Sequence, residues 1–419
     1  MIRTVPTLYS IVFTLIFTQS TWAEAPSCLM ETKKSQVPSR RVDDSALLNQ
    51  WDLNTNLGPE EIYAYKLYAR LTGTGISLEN PRFKRIVKLI RGKDFKQAAQ
   101  IITAEEKFLE VRVRNFAAPF SSKDFSSTEP FNDLQALIVG VVRDELDARL
   151  ILTGDFRYSA KPGLGLPAVS TSENDHYLKF EEGRYNYDTD LIQVSPQWEN
   201  KDTAAGAFTS RAWAKVNFDA GTNRRSVKNA IEVFLCTPID TWKTRAVPDM
   251  FVRRDVDRAP GGNPATYQNN CRSCHSIMDG LAGSFAKADF VNGAVTLNND
   301  TITAKMNQNG NVYPEGYVTT DDSWTNLLIY NSAIDFGWRS EMTGQGIVTF
   351  AKMLAESKAY IKCLVQKVFT EVCGAGINDV NPELLPQLVE NFENDKRNLK
   401  NLFSEIAISS ACLTHPGGG

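Results

Sequence analysis

The residues best placed to do chemistry lie in one run, Cys271-Arg272-Ser273-Cys274-His275. Two thiols at this spacing, followed at once by an imidazole, match the pattern by which a porphyrin is bound covalently. The sulfurs reach two vinyl groups, and the histidine gives a nitrogen to the iron. The run occurs once. Zinc would ask for four ligands, and no second cysteine pair or histidine lies nearby in the chain. A thioredoxin-like pair would sit after a strand in a βαβ setting, which the pattern here lacks. A disulfide between Cys271 and Cys274 would close a very tight loop. The expectation is therefore one covalent haem c, with thioethers at Cys271 and Cys274 and His275 as the proximal ligand.

The other axial position needs a second donor. Met278 is one turn from His275 and cannot cross to the far face. Met306, Met342 and Met353 lie downstream. Met342 precedes a helical stretch in a segment able to fold back, so it is the expected distal ligand, with Met353 as the alternative. His176, one of three histidines, reads as a surface-loop residue rather than a ligand. The flank Ile277, Met278, Leu281, Phe285 and Phe290 offers apolar walls for a macrocycle, and Gly280 and Gly283 allow close approach.

The rest of the chain must position that run. Its 419 residues are 42% hydrophobic and 23% charged, enough for a sizeable globular core. A net charge of −3 carries no electrostatic footprint for nucleic acid. Arg3, the apolar stretch Leu8 to Phe17 and the small residues Thr21 and Ala23 read as a secretory signal over 1–23, cleaved after Ala23. The apolar stretch is about half the ~20 residues a spanning helix needs, and no later segment qualifies. Export to the periplasm or cell envelope suits covalent haem and makes disulfides available. Of seven cysteines, haem would use two. Cys373 with Cys412 is the first expected pair, since both end helical segments. Cys236 with Cys363 is the second, leaving Cys28.

Apolar spacing predicts helices from Pro59, over Pro81–Ile90, Phe95–Ile102 and Glu105–Arg114, and over Leu134–Ile151 behind an Asn132 and Gln135 capping box. Asp144, Glu145 and Asp147 there read as a solvated charged face beside Arg143 and Arg149. Residues 154–198 read as irregular. A further amphipathic helix covers Thr222–Leu235, a hairpin spans Val295–Ala304 about Asn298-Asn299-Asp300, and helical spacing resumes over Gly346–Val372 and around Leu399–Ile406. The fold class is mostly α with small β inserts around an embedded cytochrome-c-like segment. The expected divisions are 24–160, an N-terminal helical domain; 161–236, an irregular connection and helix; 237–345, the haem-c segment; and 346–419, a C-terminal helical domain.

The block from Cys271 to Ala286, with Met278-Asp279-Gly280 after the pentapeptide, resembles a family of large exported bacterial proteins of uncharacterised function. These carry a single haem-c motif of the form C-x-x-C-H-x-x-[MI]-D-x-x-[GA]. Cys363-Leu364-Val365 through Cys373-Gly374, Asn398–Leu402 and Ile406-Ala407 are similar to the helical domain that follows the motif in that family. Arg70–Gly73 and Asn132-Asp133-Leu134 fit its upstream helical region. Relatives often place proline where this chain has Gly280, so the turn there differs. The resemblance implies an exported cytochrome c and brings no substrate with it. Electron transfer in the periplasm or at the cell envelope, to a redox partner that the sequence does not name, is the expected function. The alternatives are a haem-dependent oxidoreductase with an open distal position, and an envelope interaction protein with a structural haem.

Overall fold

A computed structural model describes residues 57–198, 203–242, 246–297, 300–330 and 334–414. The expected signal over 1–23, Cys28 and His415 lie outside the described residues. The fold is mostly α with small two-stranded sheets. No described helix is long and apolar enough to cross a membrane.

The N-terminal helices are α1 (Pro59–Thr72), α2 (Pro81–Arg91) and α3 (Phe95–Thr103). Each begins where the sequence signals a start: Pro59 and Pro81 open their helices, and Asp94 accepts from the Gln97 N–H at 3.1 Å. Gly73, at φ 70°, ends α1 in the left-handed conformation that a residue without Cβ adopts most readily. α4 (Asp133–Arg143) is capped by Asn132, which accepts from the Gln135 N–H at 3.1 Å. It is shorter than the periodicity predicts, because the chain turns at Glu145 (φ 54°). The acidic residues at that turn are structural partners. Asp144 pairs with Arg143, Asp147 with Arg149 and Arg397, and Glu145 with Lys400.

The segment expected to be irregular contains β1 (Arg157–Ala160), α5 (Asp175–Glu182) and β2 (Leu191–Val194), with β1 and β2 antiparallel. α6 (Arg211–Asn217) and α7 (Arg224–Leu235) follow, and then α8 (Arg272–Ala282), which carries most of the cysteine–histidine run. The hairpin after it is β3 (Ala288–Val291) with β4 (Ala294–Leu297). It lies earlier than expected because Asn292-Gly293, both at positive φ, make the tight turn. Asn298 and Asn299 lie outside the described residues. β5 (Ser323–Thr325) pairs with β6 (Thr343–Gln345), and the chain closes on α9 (Gly346–Glu356), α10 (Lys358–Cys373), α11 (Leu384–Asn394) and α12 (Leu399–Ile408). Ser357 divides the single helix expected over 346–372: it leaves the helical conformation and caps the Tyr360 N–H at 3.1 Å.

One hydrophobic core runs from Ala64 to Cys412, with α3 and α12 packed together across the ends of the chain. Both expected disulfides are present. Cys236–Cys363 ties the end of α7 to α10, and Cys373–Cys412 ties the end of α10 to the C-terminal turn.

Candidate haem-attachment site

The run sits at the head of a buried helix. Asn263 caps a first turn at Pro264–Thr266, Tyr267–Cys271 forms a π-helical turn, and α8 continues from Arg272. A π-turn is a local deformation that often marks a functional position. Helical spacing puts Cys271, His275 and Asp279 on one face. The two sulfurs also meet different surroundings. Cys271 belongs to a small cluster with Val252, Val256 and Tyr267, separate from the main core, whereas Cys274 packs against the main core with its sulfur 3.9 Å from the Ile239 carbonyl.

Cys271 is itself disulfide-bonded. One sulfur cannot hold a disulfide and a thioether together, so haem attachment requires this bond to be opened. Arg272, Ser273, Cys274 and His275 are partly exposed, while every residue from Ser276 to Ala286 is buried.

His275 is poised in its neutral form. Burial pulls its pKa down to about 4, against the opposing effect of the Asp279 carboxylate. Neutral imidazole is the ligating form. Its Nδ1 is buried and has no hydrogen-bond partner, a state that buried polar atoms rarely keep.

Behind the histidine lies a buried charge network. Arg224 donates from Nε and Nη2 to the two carboxylate oxygens of Asp279, at 2.6 and 2.9 Å. Its Nη1 and Nη2 also reach Asp255, at 2.6 and 2.7 Å. The Arg253 N–H donates to Asp279 at 3.1 Å, and its guanidinium reaches the Thr222 carbonyl at 2.8 Å. Burial alone would raise Asp279; Arg224 and Arg253 outweigh it and hold the carboxyl at about 2. Arg253 is pulled down by burial, and its Nε and Nη2 have no partners.

The apolar flank serves the protein core. Ile277, Met278, Leu281 and Phe285 all belong to the main cluster, and the Phe285 ring meets Phe208, Phe218 and Phe350 at 5.1–5.9 Å. They therefore do not form an open wall, and of the expected wall residues only Phe290 is partly buried. The glycines do permit close approach, but of backbone. A Cβ on Gly283 would lie 1.9 Å from the Ser323 carbonyl oxygen, and one on Gly280 would lie 2.8 Å from that of Thr325.

The expected distal candidates converge on one side chain. Asn326, fully buried, directs Nδ2 at the sulfur of Met353 (3.3 Å) and that of Met342 (3.6 Å). Met353 is in the core and Met342 packs against it, while Met278 and Met306 are buried. Met250 is 66% exposed on the turn closed by the Val252 N–H and the Asp249 carbonyl. His176 departs from the surface-loop reading. It is buried in α5, with Nδ1 2.6 Å from the Pro167 carbonyl and Nε2 accepting from the Ala160 N–H at 3.0 Å. Both its nitrogens are committed to structure.

Among the described residues, no group of three or more histidine, cysteine, aspartate and glutamate side chains is placed to hold a metal ion. No family model, curated protein or solved structure matches the chain.

Proposed function

We propose that this protein is an exported c-type cytochrome that binds one haem through Cys271 and Cys274, with His275 as an axial ligand, and passes electrons at the cell envelope. The observation that carries the reading is the state of His275: a neutral imidazole with an orphaned Nδ1, immediately after two correctly spaced cysteines at the partly exposed head of a helix. Haem attachment would first require the Cys271 disulfide to be opened. Bound haem would supply a one-electron iron couple. The chain's own part is to hold the helix still. Asp279, Arg224 and Asp255 anchor the face carrying His275 to α7, and β5 packs its backbone against the glycine face.

The Cys271 disulfide favours a second reading, in which the chain is an envelope interaction protein braced by that bond together with Cys236–Cys363 and Cys373–Cys412, and carries no haem. Expression of the full chain in a bacterium with haem-attachment machinery separates the two. The first reading expects an intact mass raised by one haem, haem staining that survives denaturing electrophoresis, and loss of both in Cys271→Ala and Cys274→Ala. A protein that gains no mass and keeps Cys271 in a disulfide on a non-reducing peptide map overturns it in favour of the second.

A further inference from the structure

We propose that the cleft lined by Arg149, Arg397 and Glu356 binds a free α-amino acid with a small aliphatic side chain. The α-carboxylate rests on the guanidiniums, the α-ammonium on Glu356, and the side chain on Ala355 and Ile361. None of these residues belongs to the cysteine–histidine run or to its charge network, so the proposal stands apart from the cytochrome reading.

The cleft has a volume of about 160 Å³. It opens where distant parts of the chain meet: Arg149 after α4, Arg339 ahead of β6, the end of α9, the start of α10 and the link from α11 to α12. Such a volume equals roughly five waters, which suits a small metabolite rather than a drug-sized molecule. Asp147 accepts from Nε and Nη2 of Arg149, at 3.1 and 2.8 Å, and from Nε of Arg397 at 3.1 Å. One carboxylate thus serves two guanidiniums. Arg339 donates from both Nη atoms to Glu393. These pairs leave donors and one acceptor unspent. Among the described residues, Nη1 and Nη2 of Arg397 and Nη1 of Arg149 make no hydrogen bond. Glu356 has only Lys352, an exposed side chain at 4.0 Å.

The charges explain why the occupant carries both signs. Three guanidiniums stand against Asp147, Glu356 and Glu393, and Lys352 and Lys358 add positive charge only from the exposed outside. A simple anion would meet as many carboxylates as arginines, whereas a zwitterion finds a partner for each of its charges. The planar guanidinium also matches the geometry of a carboxylate. These groups sense one another. Arg149 is raised first by its bond to Asp147 and further by Glu356, and Arg339, raised by Glu393, is opposed by Arg149. The backbone at Arg397 is strained as well. Lys396 and Arg397 sit at φ 54° and 58°, a conformation that side chains rarely adopt and that persists only where the surroundings hold it. Here the Arg397 N–H donates to the Phe392 carbonyl at 2.8 Å, and its own carbonyl accepts from the Ala148 N–H at 3.1 Å. That held strain sets Arg397 in the cleft wall.

The test is calorimetric titration of the full-length protein with L-alanine, with propionate and ethylamine as its two halves, and with inorganic phosphate as a plain anion. The expected result is saturable binding of L-alanine, with each half and phosphate weaker by about tenfold or more. Arg397→Gln and Glu356→Gln should each weaken L-alanine by about tenfold. Glu356→Gln gives up only the 4.0 Å contact with Lys352, so it keeps the test decisive if Arg397→Gln, which also releases Asp147, fails to fold. Absence of L-alanine binding overturns the proposal, as does unchanged affinity in Glu356→Gln. Propionate or phosphate binding as tightly as L-alanine overturns it in favour of a site for anions alone.

Discussion

Asp133 in the helical body and Asp279 beside the motif are both buried, yet they are held in opposite ways. Asp133 opens α4 and accepts from the N–H groups of Arg211 at 2.5 Å and Ala212 at 3.0 Å. Burial raises its pKa even against these donors. Asp279 lies between two arginines that reverse the effect of burial and keep it ionised. The body seats its aspartate on backbone N–H donors at a helix start, whereas the motif region seats one against arginine charge. Buried ion networks contribute little net stability when complete and become costly when broken, so their value lies in fixing geometry. Here the fixed geometry is the face that carries His275.

The largest expected effect comes from removing that charge. Asp279→Asn leaves Arg224 and Arg253 under-neutralised in the interior and should destabilise the haem-free protein by about 3–5 kcal/mol in urea denaturation. Asp133→Asn keeps an acceptor for the α6 backbone and should lose about 1–2 kcal/mol. Equal losses would erase the distinction between the two regions.

Two of the cross-links, Cys236–Cys363 and Cys373–Cys412, sharpen the contrast from the other side, because they brace the body. Replacing Cys236 and Cys363 together by serine should lower stability by on the order of 3 kcal/mol. The sequence separation between the paired cysteines is 127 residues there and 39 for Cys373–Cys412. Loop-closure entropy then makes the first bond worth about 1 kcal/mol more than the second. Denaturant midpoints of the two double variants, at unchanged slope, check the order. A larger loss from the shorter loop would mean that native packing, rather than the unfolded chain, sets the effect.

The body was the more legible region. Apolar residues at helical spacing located most of its helices, cysteines at helix ends pointed to Cys373–Cys412, and Cys236–Cys363, the second expected pair, is also present. Its misreadings came from single residues that override a period: Glu145 turning out of α4, Ser357 restarting a helix, and Asn292-Gly293 moving the hairpin. The motif was legible as five residues, but its surroundings were not. Ile277, Leu281 and Phe285 show the same pattern whether they face a macrocycle or a protein core. Arg224 and Asp279 stand 55 residues apart and meet only through folding. Met250 gives no sign of exposure in the sequence, because exposure belongs to the fold.

The glycines that accompany the motif offer a smaller break. Gly283 and Gly280 let the β5 carbonyls approach α8, so their value is to packing. Gly283→Ala forces its Cβ against the Ser323 carbonyl and should destabilise by roughly 1–3 kcal/mol. The loss should be the same with or without haem if the close approach serves packing. A loss confined to the haem-loaded protein, read from paired thermal melts, would assign that glycine to the cofactor instead.

Acid should separate the two regions with the smallest effect. Asp279 is held at about 2, below the ordinary carboxyl value of 3.8. A group whose folded pKa is depressed stabilises the fold above its unfolded pKa and loses that contribution as pH falls through the folded one. The window therefore runs from about pH 4 down to pH 2, and the shift corresponds to about 2 kcal/mol. Asp133 acts with the opposite sign. Its folded pKa is raised, so the native state takes up its proton first, and acid favours the fold through this group until the unfolded carboxyl is protonated as well. Stability of haem-free protein measured across this window should therefore fall less steeply in Asp279→Asn than in wild type, and more steeply in Asp133→Asn. Parallel curves for all three proteins would mean that neither aspartate's burial governs acid unfolding, and the contrast between body and motif would then rest on geometry alone.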